Sequence, residues 1–124
     1  MEPIEILHNV LLGAALLQAA LGVPLIGRRV PRNRWYGFRS STTLSDDSLW
    51  FPVNVALGWA LFWTGVVEVL LCLAWIAELP GSSIVVVLVA FTLSGPVLLL
   101  SGARKLRQLE RQAPAPDKSL NGNG

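Results

Sequence analysis

The stretch Pro52–Ala77, PVNVALGWALFWTGVVEVLLCLAWIA, decides the fold of this chain. Across its whole length it carries a single formal charge, the carboxyl group of Glu68. At about 1.5 Å of rise per residue, a helix of this length is long enough to cross the roughly 30 Å hydrocarbon core of a bilayer. Every backbone N–H and C=O in lipid must be bonded within its own segment, so we expect this stretch to form a transmembrane helix.

Two further apolar blocks lie on either side of this stretch, and the composition of the 124 residues agrees with a membrane protein. Hydrophobic residues make up 52% and charged residues 15% of the chain, with a mean hydropathy of +0.53. A soluble globular chain carries about 25% charged residues. The sequence therefore predicts an all-α membrane protein whose three transmembrane helices span about residues 6–26, 52–77 and 84–102.

The reactive residues argue against an enzyme. The chain has one cysteine and one histidine, which exclude a disulfide framework and a cysteine-built metal site. The sequence contains no nucleophile–base pair, phosphate-binding loop or metal-ligand spacing. We therefore expect no catalytic residue, no cofactor and no metal.

The basic residues predict an orientation in the membrane. The first loop contains Arg28, Arg29, Arg32, Arg34 and Arg39, and the segment after the third span contains Arg104, Lys105, Arg107, Arg111 and Lys118. By the positive-inside rule both segments are cytoplasmic, and three spans then place the acidic N-terminus outside the cell membrane. The pI of 9.2 thus reflects membrane topology, and we expect no direct contact with nucleic acid.

The remaining segments complete the predicted membrane domain, residues 1–111. The short turn at 78–83 makes the second and third spans antiparallel neighbours. Residues 103–111 are predicted to form a basic helix that lies along anionic headgroups. Residues 112–124 are rich in Pro, Gly, Asn and Asp, and are predicted to be disordered.

The cytoplasmic loop, assigned to residues 27–51, is longer than a connection between neighbouring spans requires. Its first 23 residues, Gly27–Leu49, read GRRVPRNRWYGFRSSTTLSDDSL. Loops of this length are functional or disordered, and the aromatic residues between the arginines favour a structured loop. Ser45 is predicted to cap the following helix, with Asp46 and Asp47 in its first turn.

A set of residues in and after this loop resembles a known signature. The spacing P-x-N-x-x-Y-G-x-R, then T-L, then W-x-x-x-N-x-x-x-G is similar to that of the SdpI family of small membrane proteins. Besides Pro31, the residues that carry the resemblance are Asn33, Tyr36, Gly37, Arg39, Thr43, Leu44, Trp50, Asn54 and Gly58. One departure is Pro52, between the Trp and the Asn, which predicts a break or kink at the start of the second span.

The resemblance implies a function in binding. Known members of the family protect a cell from its own secreted, membrane-active toxin, and some signal by holding a transcriptional repressor at the membrane. By this resemblance we expect toxin immunity or membrane signalling, with a peptide toxin or a cytoplasmic regulator as the partner. Tyr36 and Arg39 are the strongest candidates for partner contact. Equally, Arg39 is expected to fix the loop by binding Asp46, Asp47 or a helix end.

Glu68 offers an alternative, because a charge within a span costs about 2.5–3.5 kcal/mol on insertion scales. At about 100° per residue, the residues on its face of the helix are Asn54, Gly58, Leu61, Gly65 and Cys72. One interpretation is an acid that senses a proton, an ion or a toxin, as in an accessory or transport subunit that works as a homo-oligomer. The other is a protonated packing residue bonded to Asn9, Gln18 or Thr92.

Overall fold

A computed structural model describes residues 2–112 of the chain, and all of its regular structure is helical. The helices are α1 (Pro3–Ile26), α2 (Ser41–Ser45), α3 (Asp47–Ile76) and α4 (Ile84–Gln112). By length and composition α1, α3 and α4 can each cross a membrane, which confirms the predicted number of spans. The predicted disordered tail begins at Gln112, the last residue of α4, and otherwise lies outside the described residues.

The start of α3 differs from the prediction. Asp46, not Ser45, is the N-cap residue, and its carboxylate accepts a hydrogen bond from the backbone N–H of Ser48 at 2.8 Å. Ser45 instead ends α2, where its hydroxyl donates to the carbonyl of Thr42. A carboxylate one residue closer to the helix can reach its unpaired N–H groups, so Asp46 displaces Ser45 from this role.

The helix α3 begins before Pro52 and runs through it without interruption, so the predicted break at this residue is absent. A proline within a helix removes one hydrogen bond of the helix. The bonds on either side and the packing of Trp50 and Asn54 hold this turn in place. The loop between α1 and α3 is therefore shorter than the predicted 27–51, and it ends at the cap of α3.

The three long helices form a layer with α3 in the middle. Both α1 and α4 pack against α3, whereas no Cα atoms of α1 and α4 lie within 8 Å of each other. The neighbouring positions of α3 and α4 agree with the short turn predicted between them. The outer faces of the layer expose large apolar side chains, as a lipid environment requires.

Small residues allow α1 and α3 to come into close contact. A Cβ atom added to Gly58 would lie 2.8 Å from the carbonyl oxygen of Gly22, and one added to Gly65 would lie 2.6 Å from the backbone nitrogen of Ala19. Because lipid chains are as apolar as leucine, helices in a membrane associate through such close packing. The glycines of the predicted stripe on α3 therefore form its contact with α1.

The contact between α3 and α4 is less extensive than that between α1 and α3. Val87, Ser94 and Gly102 are the buried residues of α4 and recur every seven or eight positions. The predicted basic segment 103–111 is helical, and it continues α4 instead of forming a separate helix. No proline or glycine follows Gly102 within α4, so nothing in this segment ends the helix.

Candidate functional site

The motif loop, defined here as residues 27–46, is organised by Asn33 at its first turn. The side-chain oxygen of Asn33 accepts hydrogen bonds from the backbone N–H groups of Trp35, at 2.8 Å, and Tyr36, at 2.7 Å. Its amide group donates to the carbonyl of Pro31 at 2.8 Å. An asparagine side chain can imitate a backbone turn in this way, which accounts for an asparagine at this position.

Asn54 of α3 connects the loop to the membrane helices. Its side-chain oxygen accepts from the N–H of Phe38, and its amide donates to the carbonyls of Trp50, at 2.9 Å, and Phe38, at 3.4 Å. The side chain is only 2% exposed. Gly37 has a φ of 106°, and a Cβ atom there would overlap the side-chain oxygen of Asn54. Glycine is therefore required by both the backbone conformation and the close approach of Asn54.

Trp50 and Thr43 fix the two ends of the loop. The fully buried indole of Trp50 donates to the carbonyl of Val30 at 2.9 Å, which joins the start of α3 to the residues after α1. Thr43 is also fully buried, and it forms a capping box with Ser40 at the start of α2. The neighbouring Leu44 is half-buried, and its carbonyl accepts a hydrogen bond from Arg32.

The loop also reaches α4 through a contact that the sequence analysis missed. The ring of Phe38 lies against Gly102, where no Cβ atom would fit. Phe38 follows the Tyr-Gly pair, and Gly102 lies near the end of an apolar block, so only the three-dimensional structure relates them. The loop is thereby attached to the residues after α1, to α3 and to α4.

Arg39 and Tyr36 are the residues that the sequence predicts for partner contact. Arg39 is exposed and donates a hydrogen bond to the carbonyl of Arg34, so neither Asp46 nor Asp47 is its partner. Asp47 pairs instead with Arg32, at 2.7 Å between Oδ1 and Nε. Tyr36 is half-buried, its hydroxyl has no hydrogen-bond partner, and burial raises its pKa.

The exposed part of the loop combines an aromatic ring with positive charge. Trp35 is 89% exposed, the highest value among the exposed large apolar side chains. A cleft of about 550 Å³ lies between the loop and the first turns of α3. Its lining residues are Pro31, Arg32, Asn33, Arg34, Leu44, Asp47 and Phe51. An exposed tryptophan next to arginines can contact a protein partner or the membrane interface.

Comparison with protein families agrees with this arrangement. The family model of the SdpI/YfhL protein family matches residues 29–103. The chain belongs to the SdpI/YfhL family. Searches of curated proteins and of solved structures returned no match to the chain.

The region matched by the SdpI/YfhL family is the part of the chain in which the loop contacts α3 and α4. It begins after α1 and includes the loop, all of α3 and α4 as far as residue 103. The predicted motif residues Asn33, Gly37 and Asn54 all have structural contacts within this region, as does the additional pair Phe38 and Gly102. The family signature therefore encodes a loop packed on two membrane helices.

Glu68 lies apart from the loop, in the middle of α3, and is 1% exposed. Neither of its carboxyl oxygens has a hydrogen-bond partner. Gln18 and Ser94 lie next to it, but Gln18 donates to Thr64 at 2.7 Å and Ser94 donates to a carbonyl of its own helix. Of the predicted partners, Gln18 lies next to the carboxyl group, whereas Thr92 does not.

Thr92 is not next to Glu68 because it lies on a different face of α4 from Ser94. Thr92 lies on the exposed face of α4 and donates to the carbonyl of Leu88, whereas Ser94 faces α3. The apolar sequence of α4 does not indicate which face meets α3, because lipid-facing and helix-facing residues are similar. Within residues 2–112, no group of three His, Cys, Asp or Glu side chains is placed to hold a metal ion.

Proposed function

We propose that this SdpI/YfhL-family membrane protein acts by binding a partner through the motif loop, without catalysis, in toxin immunity or membrane signalling. The observation that carries the proposal is that some side chains of the loop contact the membrane helices while others are exposed. The buried side chain of Asn54 bonds the loop to α3, and the ring of Phe38 packs on Gly102 of α4, while Trp35 and Arg34 are exposed. A rigid loop that presents an aromatic ring and a cation is suited to binding with little loss of conformational entropy.

The proposed orientation has the N-terminus outside and the C-terminus in the cytoplasm of a cell with this protein in its plasma membrane. Positive charge after α1 and after Gly102 favours the cytoplasmic side for both segments. The contact of Phe38 with Gly102 supports this orientation, because it brings the two basic segments to the same end of the helices. Anionic headgroups are then expected beside both.

The proposed partner is a peptide toxin or a cytoplasmic regulator that carries acidic groups. Arg34 has no ion pair within the described chain, whereas the charge of Arg32 is compensated by Asp47. An acidic side chain of the partner beside Arg34 and an apolar one against Trp35 would complement this surface.

Site-specific photo-crosslinking tests the proposal. A photoreactive analogue replaces Trp35 in native membranes, and crosslinked products are identified by mass spectrometry. The matched control places the same analogue at Trp59, which is exposed on the apolar face of α3. We expect a discrete protein product from position 35 only, reduced at least several-fold by Arg34→Ala.

The outcomes separate a docking surface from a membrane anchor. Products limited to lipid at both positions, or a protein product equally strong at both, would overturn the proposal. Arg39→Ala is a less direct variant, because it also removes the hydrogen bond to the carbonyl of Arg34 and so disturbs the loop itself.

A second candidate function rests on Glu68. A buried carboxyl group without a hydrogen-bond partner is costly, and such residues in membrane helices mark proton or ion sites by default. The protein would then be an accessory or transport-related subunit, and a chain with three spans would work as a homo-oligomer or with a larger partner. Glu68→Gln should abolish flux in reconstituted vesicles, while leaving the crosslink from position 35 intact.

A further inference from the structure

A groove between α3 and α4 opens towards the lipid beside Glu68. It has a volume of about 280 Å³. Its lining residues are Trp63, Thr64, Val67, Glu68, Ala90, Leu93, Ser94 and Val97. The groove is thus apolar along its length, and its lining includes the buried Glu68 and the exposed Trp63.

Two independent observations mark the groove as a binding site. The first is the carboxyl group of Glu68, which is almost completely buried and has no hydrogen-bond partner among the described residues. The second is Trp63, whose ring is 57% exposed and lines the same groove. A carboxylate attracts a cation directly, and the face of an indole ring is the best aromatic surface for a cation.

We propose that this groove binds small lipophilic organic cations, such as quaternary ammonium compounds, with Glu68 as the counter-ion and Trp63 as an aromatic wall. The apolar body of the cation lies against Val67, Leu93 and Val97. The proposal extends the second candidate function by naming its ligand class. It concerns binding, and it stands whether or not the bound cation is transported.

The size of the groove favours a small molecule over a membrane helix from a second protein. Small-molecule pockets have volumes of about 300–1,000 Å³, and this groove, at about 280 Å³, lies just below that range. A helix partner would need a surface that extends along several turns of α3 and α4. The groove instead covers about two turns of each helix, from Trp63 to Glu68 and from Ala90 to Val97.

Binding should exchange one proton for one cation. A buried carboxyl group without a counter-ion is more stable when protonated, so we expect Glu68 to release a proton to water as the cation binds, which keeps the charge within the groove balanced. Around Glu68, α1 contributes Gln18 and α4 contributes Ser94, neither of which titrates near neutral pH. The titratable neighbour on α3 is the thiol of Cys72. Affinity for the cation should therefore rise with pH.

Equilibrium dialysis of the full-length protein in lipid nanodiscs tests the proposal, with benzyltrimethylammonium as the probe. This cation has a permanent charge, so any pH dependence belongs to the protein. The uncharged control ligand is neopentylbenzene, in which carbon replaces the nitrogen. We expect saturable binding of one cation per chain, a tenfold or greater loss in Glu68→Gln, and retention in Glu78→Gln, which neutralises an exposed carboxylate beyond the end of α3.

Two additional variants keep the test decisive if Glu68→Gln inserts poorly. Glu68→Asp retains the charge and should retain binding within about tenfold, and Ala90→Phe fills the groove without touching the carboxyl group and should abolish binding. Non-saturable uptake, equal binding of the two ligands, or unchanged binding in Glu68→Gln and Ala90→Phe would overturn the proposal. Binding without flux in vesicles would contradict transport and leave the binding site established.

Discussion

Two buried polar side chains of α3, Asn54 and Glu68, illustrate opposite uses of polarity in this protein. The amide of Asn54 is fully engaged with the backbone of Phe38 and Trp50, whereas the carboxyl group of Glu68 has no hydrogen-bond partner. A satisfied buried polar group stabilises one arrangement of the chain, and an unsatisfied one destabilises it. Polar contacts therefore stabilise α3 around Asn54, whereas the buried carboxyl group of Glu68 does not contribute such contacts.

The two regions also differ in how closely their surroundings pack. Near Asn54, backbone approaches backbone, as at Gly58 against Gly22, and side chain meets glycine, as at Phe38 against Gly102. Near Glu68, α3 is equally close to α1 at Gly65, but an open groove separates parts of α3 and α4. Close packing makes a region intolerant of added atoms, and a groove makes it tolerant. Substitutions in the two regions should therefore differ in their effect on stability.

The largest effect is expected where the helices are in closest contact. Gly58→Leu places a side chain against the carbonyl of Gly22 and the backbone nitrogen of Ile26, at 2.8 and 2.9 Å from its Cβ atom. Backbone atoms cannot move aside, so α1 and α3 must separate, and we expect a loss of about 3 kcal/mol or more. Unfolding by SDS in mixed micelles, followed by circular dichroism, measures this change.

Gly13→Leu is the matched control for this substitution. A Cβ atom at Gly13 meets no other atom within 4 Å, so the same change on the open face of α1 should leave stability within about 0.5 kcal/mol of the wild type. Equal effects at the two positions would contradict the close contact between α1 and α3.

The next largest effect is expected at Asn54. Replacement by leucine leaves the N–H of Phe38 without its partner, at about 1–3 kcal/mol for a buried unsatisfied group. We expect a loss of about 2 kcal/mol, together with faster hydrogen exchange at the amide of Phe38. Thr92→Val, which removes an exposed hydroxyl of α4, should change neither quantity. Unchanged exchange in Asn54→Leu would show that the loop is held by other contacts.

Much of this stable region could be predicted from the sequence. Long apolar stretches can only be helices in lipid, so the three spans followed from length and composition. The stripe on α3 followed from helical periodicity, and Gly58 and Gly65 on that stripe meet α1. The motif identified Asn33 and Asn54 as candidate residues, but the hydrogen bonds by which they fold the loop could not be predicted from it.

The surroundings of Glu68 could not be predicted in the same way. In a membrane, a residue that faces lipid and one that faces another helix are both apolar, so the sequence of α4 did not reveal that Ser94 faces α3 and Thr92 faces away. For the same reason the open arrangement of α1 and α4 on either side of α3 was not foreseen. The position of the N-cap was off by one residue, because Ser45 and Asp46 are both good capping residues.

Glu68 is the position at which we expect a substitution to increase stability. Replacing an unsatisfied buried carboxyl group by leucine removes the cost of its burial, so Glu68→Leu should stabilise the protein by about 1 kcal/mol in the same SDS titration. Glu68→Gln retains a polar group and should change stability by less than about 0.5 kcal/mol. A loss of more than about 1 kcal/mol in Glu68→Leu would mean that the carboxyl group contributes to folding as Asn54 does.

The smallest effect is expected at Asp46, at the solvent-exposed cap of α3. The hydrogen bonds from Ser48, with a minor contribution from Arg32, hold the pKa of Asp46 below its ordinary value of 3.8. A carboxyl group whose pKa is lower in the folded state stabilises that state above its unfolded pKa and loses this contribution as pH falls through the folded pKa. The cap should therefore weaken only below about pH 3.8. The NMR shift of the Ser48 amide proton should report this titration, which Asp46→Asn abolishes and Asp47→Asn preserves. If the Ser48 shift still depends on pH in Asp46→Asn, another group caps the helix. If this pH dependence is lost, polar contacts stabilise the predicted cytoplasmic half of α3 from its first turn.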